Sequence, residues 1–266
     1  MAKAVELTRD GGIAVITFSR PETLNTMTYD MLEQLGAAYR LCDEDDDVRV
    51  VVVTGSGKAF CAGADLSDGT AFDSTAREDI SSCPLDFQAW QVRKPVIAAC
   101  NGHAVGVGLG IAAQCDLRVL AEDARYGFLQ NRRGVVADFA VEYTLPRLVG
   151  FERAFELIVR AIRLTGREAV DWGLASRAVP ADQVLATAME IASDMAENCS
   201  PLVMGLHKRL LWRSLDTSMA EAVDLESRAL NYTMRKPDAI EGGMAFFEKR
   251  QPLWRTRIGE DWPDEF

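Results

Sequence analysis

"NGHAVGVGLGIAAQCD", residues 101–116, sets glycines at 102, 106, 108 and 110 between an apolar run and a helical pattern. Glycines at such a junction can cradle phosphate, aim backbone N–H groups at another negative charge, or let two backbones pass closely. Two phosphate readings fail on spacing. Counted from Gly106 and Gly108, a dinucleotide-binding fingerprint requires a small residue at 111, where Ile111 stands. A P-loop requires Gly-Lys-Ser/Thr, and none follows.

The flanks decide the fold class. "PVIAAC" (95–100) and "LRVLA" (117–121) read as strands, and "VRVVVVTG" (48–55) as a strand buried on both faces, as a parallel sheet requires. Helices are predicted over about 84–93 and 106–114, so strands and helices alternate and right-handed crossovers follow. Further out, Asp10-Gly11-Gly12 joins two β-branched runs into a hairpin. Met31, Leu32, Leu35, Ala38 and Leu41 fall at helical spacing within 28–42. The acidic run "DEDDD" after them reads as a solvated loop, and the polar, aperiodic stretch 67–83 as a mobile one. From about 138 onward the pattern is almost wholly helical, which predicts an α/β core over 1–200 and a helical region over 201–266.

Composition excludes several partners. With 48% hydrophobic and 26% charged residues the chain is of the soluble globular class, and 266 residues can bury a large core. A net charge of −11 argues against nucleic acid and anionic membranes. No run approaches a membrane span and no apolar leader precedes residue 12, so a cytoplasmic location is expected. The six cysteines lie mostly in apolar runs with no CxxC pair, as buried free thiols would.

The chemistry is narrowed by what is missing. His103 and His207 have no ligand spacing around them, so no metal is expected, and His103 reads as a packed core residue. No G-x-S-x-G elbow supports a serine hydrolase. A second small-residue loop, Ala59 to Ala64 in "VVVTGSGKAFCAGADLSDG", leaves a strand of the same sheet. Two such loops can bring two N–H groups to one point, one of them at a helix N-terminus, and so form an oxyanion hole.

"GSGKAFCAGADLSD", "KPVIAACNGHAVGVGLGIAAQCDLRV", "GFERAFELIVRA" and "EGGMAFFEKRQP" resemble the crotonase (enoyl-CoA hydratase/isomerase) superfamily over essentially the whole chain. The resemblance implies a spiral of ββα units, a helical C-terminal trimerisation region whose trimers commonly pair into hexamers, and a coenzyme A thioester as substrate without a separate cofactor. It maps the two oxyanion N–H groups onto Ala64 and Val107. Val107 replaces the middle glycine of the family's usual triplet, and a β-branched residue there is expected to narrow the acyl channel or oppose the backbone angles. The resemblance also implies that the backbone around Ala62, Ala64, Asp65 and Leu66 meets adenine, with Phe246 and Lys249 reaching the nucleotide from a neighbouring helix.

The proton-transferring groups depart from the family pattern. The two glutamates of its hydratases fall on Gly110 and Gln130, neither of which has a useful pKa. Asp138 in "VVADFAVE" falls where dienoyl-CoA isomerases and aromatic acyl-CoA dehalogenases of the superfamily carry an aspartate. It reads equally as a helix N-cap. Glu142, four residues on, would share its helical face, and two carboxylates there would separate their pKa values into an acid and a base. Arg132 and Arg133 are either solvated or recognise a carboxylated acyl group. Three activities stay open: an atypical hydratase or isomerase, a non-catalytic acyl-CoA carrier, and a thioester hydrolase or dehalogenase using Asp138. The last is weakened because Phe87 stands where the dehalogenase histidine belongs.

Overall fold

The computed structural model describes residues 3–67 and 81–266. Most of the 67–83 stretch expected to be a mobile loop therefore lies outside the described residues. The chain opens with the hairpin β1 (Val5–Asp10) and β2 (Ile13–Phe18), closed at Gly11 with φ 55°. Helix α1 (Tyr29–Glu44) follows, its first turn capped by Thr28, whose hydroxyl accepts the Met31 N–H. It buries Met31, Leu32, Leu35, Ala38, Tyr39 and Cys42, whereas Leu41 turns out to solvent.

A three-fold repeat of strand pairs then builds the core. β3 (Val50–Gly55) is followed by β4 (Ala59–Cys61), β5 (Val96–Cys100) by β6 (His103–Val105), and β7 (Leu117–Ala121) by β8 (Arg125–Gly127). The first strand of each pair joins a six-stranded sheet, ordered β1-β2-β3-β5-β7-β10, where β10 is Arg177–Val179. The second joins a four-stranded sheet, ordered β4-β6-β8-β9, where β9 is Leu164–Thr165. Each turn of the spiral thus adds one strand to each sheet, with parallel pairing between turns. β3 and β5 are buried throughout, which is why they read as uninterrupted apolar runs.

Of the two helices expected between these strands, α2 (Val107–Ala113) forms and 84–93 does not. That segment runs in turns, because Gln88 bonds its own neighbourhood: its amide donates to Leu85 O and its N–H to Gln91 Oε1. The acidic run is not a solvated loop either. Asp43 and Glu44 end α1, Asp43 is buried against the Arg93 Nε (2.9 Å) and N–H (2.7 Å), and Asp46 accepts the Gly259 N–H. Lys94, fully buried, donates to the Cys42 and Asp45 carbonyls, and burial pushes it down to about 8. His103 is an exposed residue at the β6 edge whose Nδ1 accepts the Arg125 N–H, so it is no core histidine.

After α3 (Val141–Val149), α4 (Phe151–Ile158), α5 (Gly166–Asp171) and α6 (Val184–Asn198), the chain ends in α7 (Pro201–Ser214), α8 (Met219–Thr233), α9 (Pro237–Glu248) and α10 (Ile258–Asp261). Buried Lys208 fastens α7 to the core, donating to Asp116 (2.8 Å) and to the Ala89 and Lys94 carbonyls. No helix among the described residues is long and apolar enough to cross a membrane.

Candidate active site

The two small-residue loops leave adjacent parallel strands. Ala62–Leu66 follows β4 and Gly106 follows β6, and these strands pair at Ala59–His103 and Cys61–Ala104. Gly106, with φ 55°, turns the chain into α2, leaving Val107 as its first residue. The unusual backbone angle thus falls on glycine, and Val107 adopts helical geometry without the strain its β-branch was expected to meet. Gly108 allows the helix to abut β4, since a Cβ there would strike the Cys61 carbonyl.

The other loop is held by a segment the sequence reading did not single out. Buried Asn25, itself at φ 55°, donates to the Ser56 and Ala59 carbonyls (2.9 and 2.8 Å) and accepts the Arg20 N–H. Ala62 donates its N–H to Leu24 O, while Met27 exchanges bonds with Gly63 O and the Asp65 N–H. In that bridge the flanking residues 63 and 65 serve Met27, so the Ala64 N–H faces away from it. The Val107 N–H, in the first turn of α2, has no intrahelical acceptor. Neither group donates to a protein acceptor among the described residues. Asp65 binds the Ser67 N–H (3.0 Å) and Arg20 (2.9 Å). Its bonds to Ser67, then to Arg20, hold its carboxyl down at about 2. "SRPETLN" carries the signal for this clamp in its Pro and Asn, the residues of turns and left-handed backbone.

Asp138 reaches the same place from the third turn of the spiral. It is not a helix cap: Phe139 and Ala140 intervene, both at positive φ (58° and 53°), and Ala140 caps α3. These residues also take Asp138 off the helical face of Glu142. Its Oδ1 accepts a bond from Gln130 Nε2 at 3.2 Å. Burial pushes its carboxyl up to about 6, against the bond from Gln130, and the charge of Glu142 adds the least. Cys61, at the end of β4, is raised to about 12, chiefly by burial.

Position 110 is closed to any side chain. A Cβ on Gly110 would stand 2.9 Å from the Phe139 Cβ. Phe139 is fully buried and anchored by its own backbone, its N–H on Ser82 O (2.6 Å) and its carbonyl on the Gln114 amide (3.1 Å). The Gln130 amide lies over Gly106, where a Cβ would be 3.5 Å from Nε2. Its other branch, Oε1, is buried without a partner among the described residues.

Gln130 and Asp138 are therefore brought beside Gly106 and Val107, which follow the strand that neighbours the one carrying the Ala62–Leu66 loop. Glu142 is exposed beside a cavity of about 180 Å³ that Gln130 and Ala137 also line. Phe246, 79% exposed, and Lys249 lie elsewhere, on α9 and its C-cap. Hydrogen bonds and ion pairs fasten that helix to Ser200 and the 250–256 segment, and among the described residues none reaches the Ala62–Leu66 loop. Arg132 bonds the Arg160 carbonyl at the surface, and Phe87 sits under the Arg40 guanidinium. A larger cleft, of about 910 Å³, lies between the β1–β2 turn and residues 251–257 and contains none of these residues. Its size does not outweigh the convergence of groups around Asp138.

The pattern of the enoyl-CoA hydratase/isomerase family matches residues 8–257, and the chain belongs to that family. It is 37% identical to an enoyl-CoA hydratase of Alternaria alternata, over 94% of this chain and 85% of that relative. It is 34% identical to a probable enoyl-CoA hydratase of Bacillus subtilis, over 95% and 98%. Among solved structures it is similar to a probable enoyl-CoA hydratase/isomerase of Mycobacterium abscessus (41% identity, TM-score 0.90, 94% of this chain and 98% of that one). An enoyl-CoA hydratase of Bacillus anthracis gives the same TM-score at 31% identity, over 97% and 100%. The fold is thus of the crotonase type, and the family's enzymes act on acyl-CoA.

Proposed function

We propose that this chain moves a proton within an acyl-CoA thioester, with Asp138 as the base, and does not use the two-glutamate hydration chemistry of the family. The observation that carries this reading is the pairing of a buried carboxylate at 138 with a position 110 that a phenyl ring has closed. Above about pH 6 the Asp138 carboxylate takes a proton from the carbon next to the thioester carbonyl, or from the vinylogous γ-carbon. The released electron pair moves to the thioester oxygen, where the Ala64 and Val107 N–H groups donate to it. Asp138 returns the proton to another carbon of the acyl chain, which isomerises the double bond. Gln130 holds the carboxylate in place and does not activate water. The loop at Ala62–Leu66 takes the adenine end of coenzyme A. Phe246 and Lys249 serve the nucleotide of a neighbouring subunit, which makes a trimer or hexamer part of the proposal.

A second reading, an acyl-CoA carrier without catalysis, is favoured by the same missing glutamates. Incubating the protein with 3-enoyl-CoA in deuterated water separates the two. The enzyme incorporates deuterium and shifts the double bond, whereas tight binding without either overturns the isomerase.

A further inference from the structure

Asp138 is followed by two non-glycine residues at positive φ, Phe139 (58°) and Ala140 (53°), and such a turn persists only where its surroundings fix it. The first turn of α3 fixes Ala140, whose carbonyl accepts the Tyr143 and Thr144 N–H groups at 3.1 and 3.0 Å. Phe139 is fixed from another side. Its N–H donates to the Ser82 carbonyl in an exposed segment, and its own carbonyl accepts Gln114 Nε2 at 3.1 Å. Gln114 is a buried polar residue at the end of a helix made otherwise of apolar residues and glycine. Its backbone N–H bonds the Gly110 carbonyl at 3.3 Å, so the side chain starts from a fixed point. Helix α2 thus grips Phe139 at two places one turn apart: Gly110 lies against its Cβ, and Gln114 holds its carbonyl. Among the described residues no other side chain bonds the Phe139 peptide.

We infer that Gln114 is a positioning residue for the base: by holding the Phe139 carbonyl it fixes the left-handed turn that carries Asp138, and so keeps that carboxylate buried against Gln130. The inference rests on the isomerase reading above and adds to it a residue that acts only through the backbone of another. Gln114 and Gln130 then act on the carboxyl in opposite senses. Burial is the first cause of the raised Asp138 pKa and the Gln130 bond opposes it, so a slackened turn that admits water lets the pKa fall. Glu142 is the charged side chain that acts on Asp138, and it acts least. The Cys61 and Cys83 thiols are raised by burial and stay uncharged at neutral pH.

Two substitutions test this. Gln114→Met keeps most of the side-chain volume and removes the donor. Gln114→Asn keeps the amide but draws it back by one methylene, a gentler change that serves if the first variant does not fold. Each is compared with the parent by deuterium exchange into 3-enoyl-CoA as a function of pH, and by NMR titration of the Asp138 carboxyl in the ligand-free protein. Exchange is expected to slow at least about tenfold at unchanged substrate affinity, because a misplaced reacting group loses rate and not binding. The Asp138 midpoint should fall below about 6. A residue that merely stabilised the fold would leave that midpoint where it is in the folded protein. A midpoint unmoved in every folded variant therefore overturns the inference and leaves Asp138 standing as the base. A parent chain that exchanges no proton sinks the isomerase reading, and the inference with it.

Discussion

Gly110 and Phe139 are complementary: the ring of one occupies the space into which a side chain on the other would project, with 2.9 Å between the Phe139 Cβ and a Cβ built on Gly110. Gly110→Glu alone should therefore lower stability by about 1–3 kcal/mol through overpacking, read from the midpoint of urea unfolding. An unchanged midpoint would show that Phe139 yields freely.

The same relationship sets what restores hydration. Gly110→Glu with Gln130→Glu should stay inactive on crotonyl-CoA while Phe139 is in place. Adding Phe139→Gly, which suits the φ of 58°, opens the room. The triple variant should then hydrate at least about 10²-fold faster than the parent. A parent chain that already hydrates as fast as the triple variant would remove Asp138 from its proposed role.

Asp138 couples stability and activity to pH in opposite senses. Burial raises its pKa from 3.8 to about 6 on folding, so between those values the folded chain holds more protons than the unfolded one. Stability attributable to this group is present below 3.8 and is lost as pH rises through 6. Proton exchange on substrate should rise through the same interval and level off above it. Asp138→Asn should flatten the stability slope in that window and reduce exchange at neutral pH by at least about 10²-fold. Full exchange in that variant would exclude Asp138 as the base.

Gln130 acts on that titration through its bond to Oδ1, which lowers the Asp138 pKa. Gln130→Leu should move the midpoint of the pH–rate profile above about 6, slowing the reaction more at pH 6 than at pH 8. A midpoint that stays or falls would show that the bond has no part in positioning the base.

Phe246 and Phe247 are 79% and 81% exposed, and Ile240 and Met244 on the same helix are also uncovered. Such surface is expected to be buried between copies of the chain. Light scattering at micromolar concentration should give a trimer or hexamer, and Phe246→Ser with Phe247→Ser should shift it toward monomer. A monomeric wild type would contradict the assembly.

The sheet and the two loops were legible because their signals are local. β3 and β5 are buried on both faces and read as unbroken apolar runs, and glycines mark the turns out of them. Asp138 is marked as a candidate base by its position, but the equal reading as a cap could not be set aside, since nothing in "ADFA" announces that Phe139 and Ala140 adopt left-handed angles, which tertiary packing imposes. The closure at Gly110 was invisible for a related reason: it depends on a residue 29 positions away in the chain brought across by the third turn of the spiral. The four-stranded sheet escaped notice because its strands are two or three residues long, too short for any periodicity. The C-terminal aromatics divide between two settings that local pattern does not distinguish. Trp212 bonds Asp116 and Trp254 packs over Gly242 within the same chain, whereas Phe246 and Phe247 find no such cover.

The parallel pairing of β4 with β6 has one more result. The loops bearing Ala64 and Val107 are carried by neighbouring strands, whose separation in any sheet is about 4.8 Å and is set by the peptide backbone. The spacing of the two N–H groups is therefore a dimension of the architecture and owes nothing to side-chain identity at either position. Valine stands at 107 in this chain, and side chains at 110, 130 and 138 can change while these two backbone groups stay in register. If the pair steadies negative charge as proposed, a scaffold of this kind separates that task from the choice of reaction, so one can diversify without the other being rebuilt.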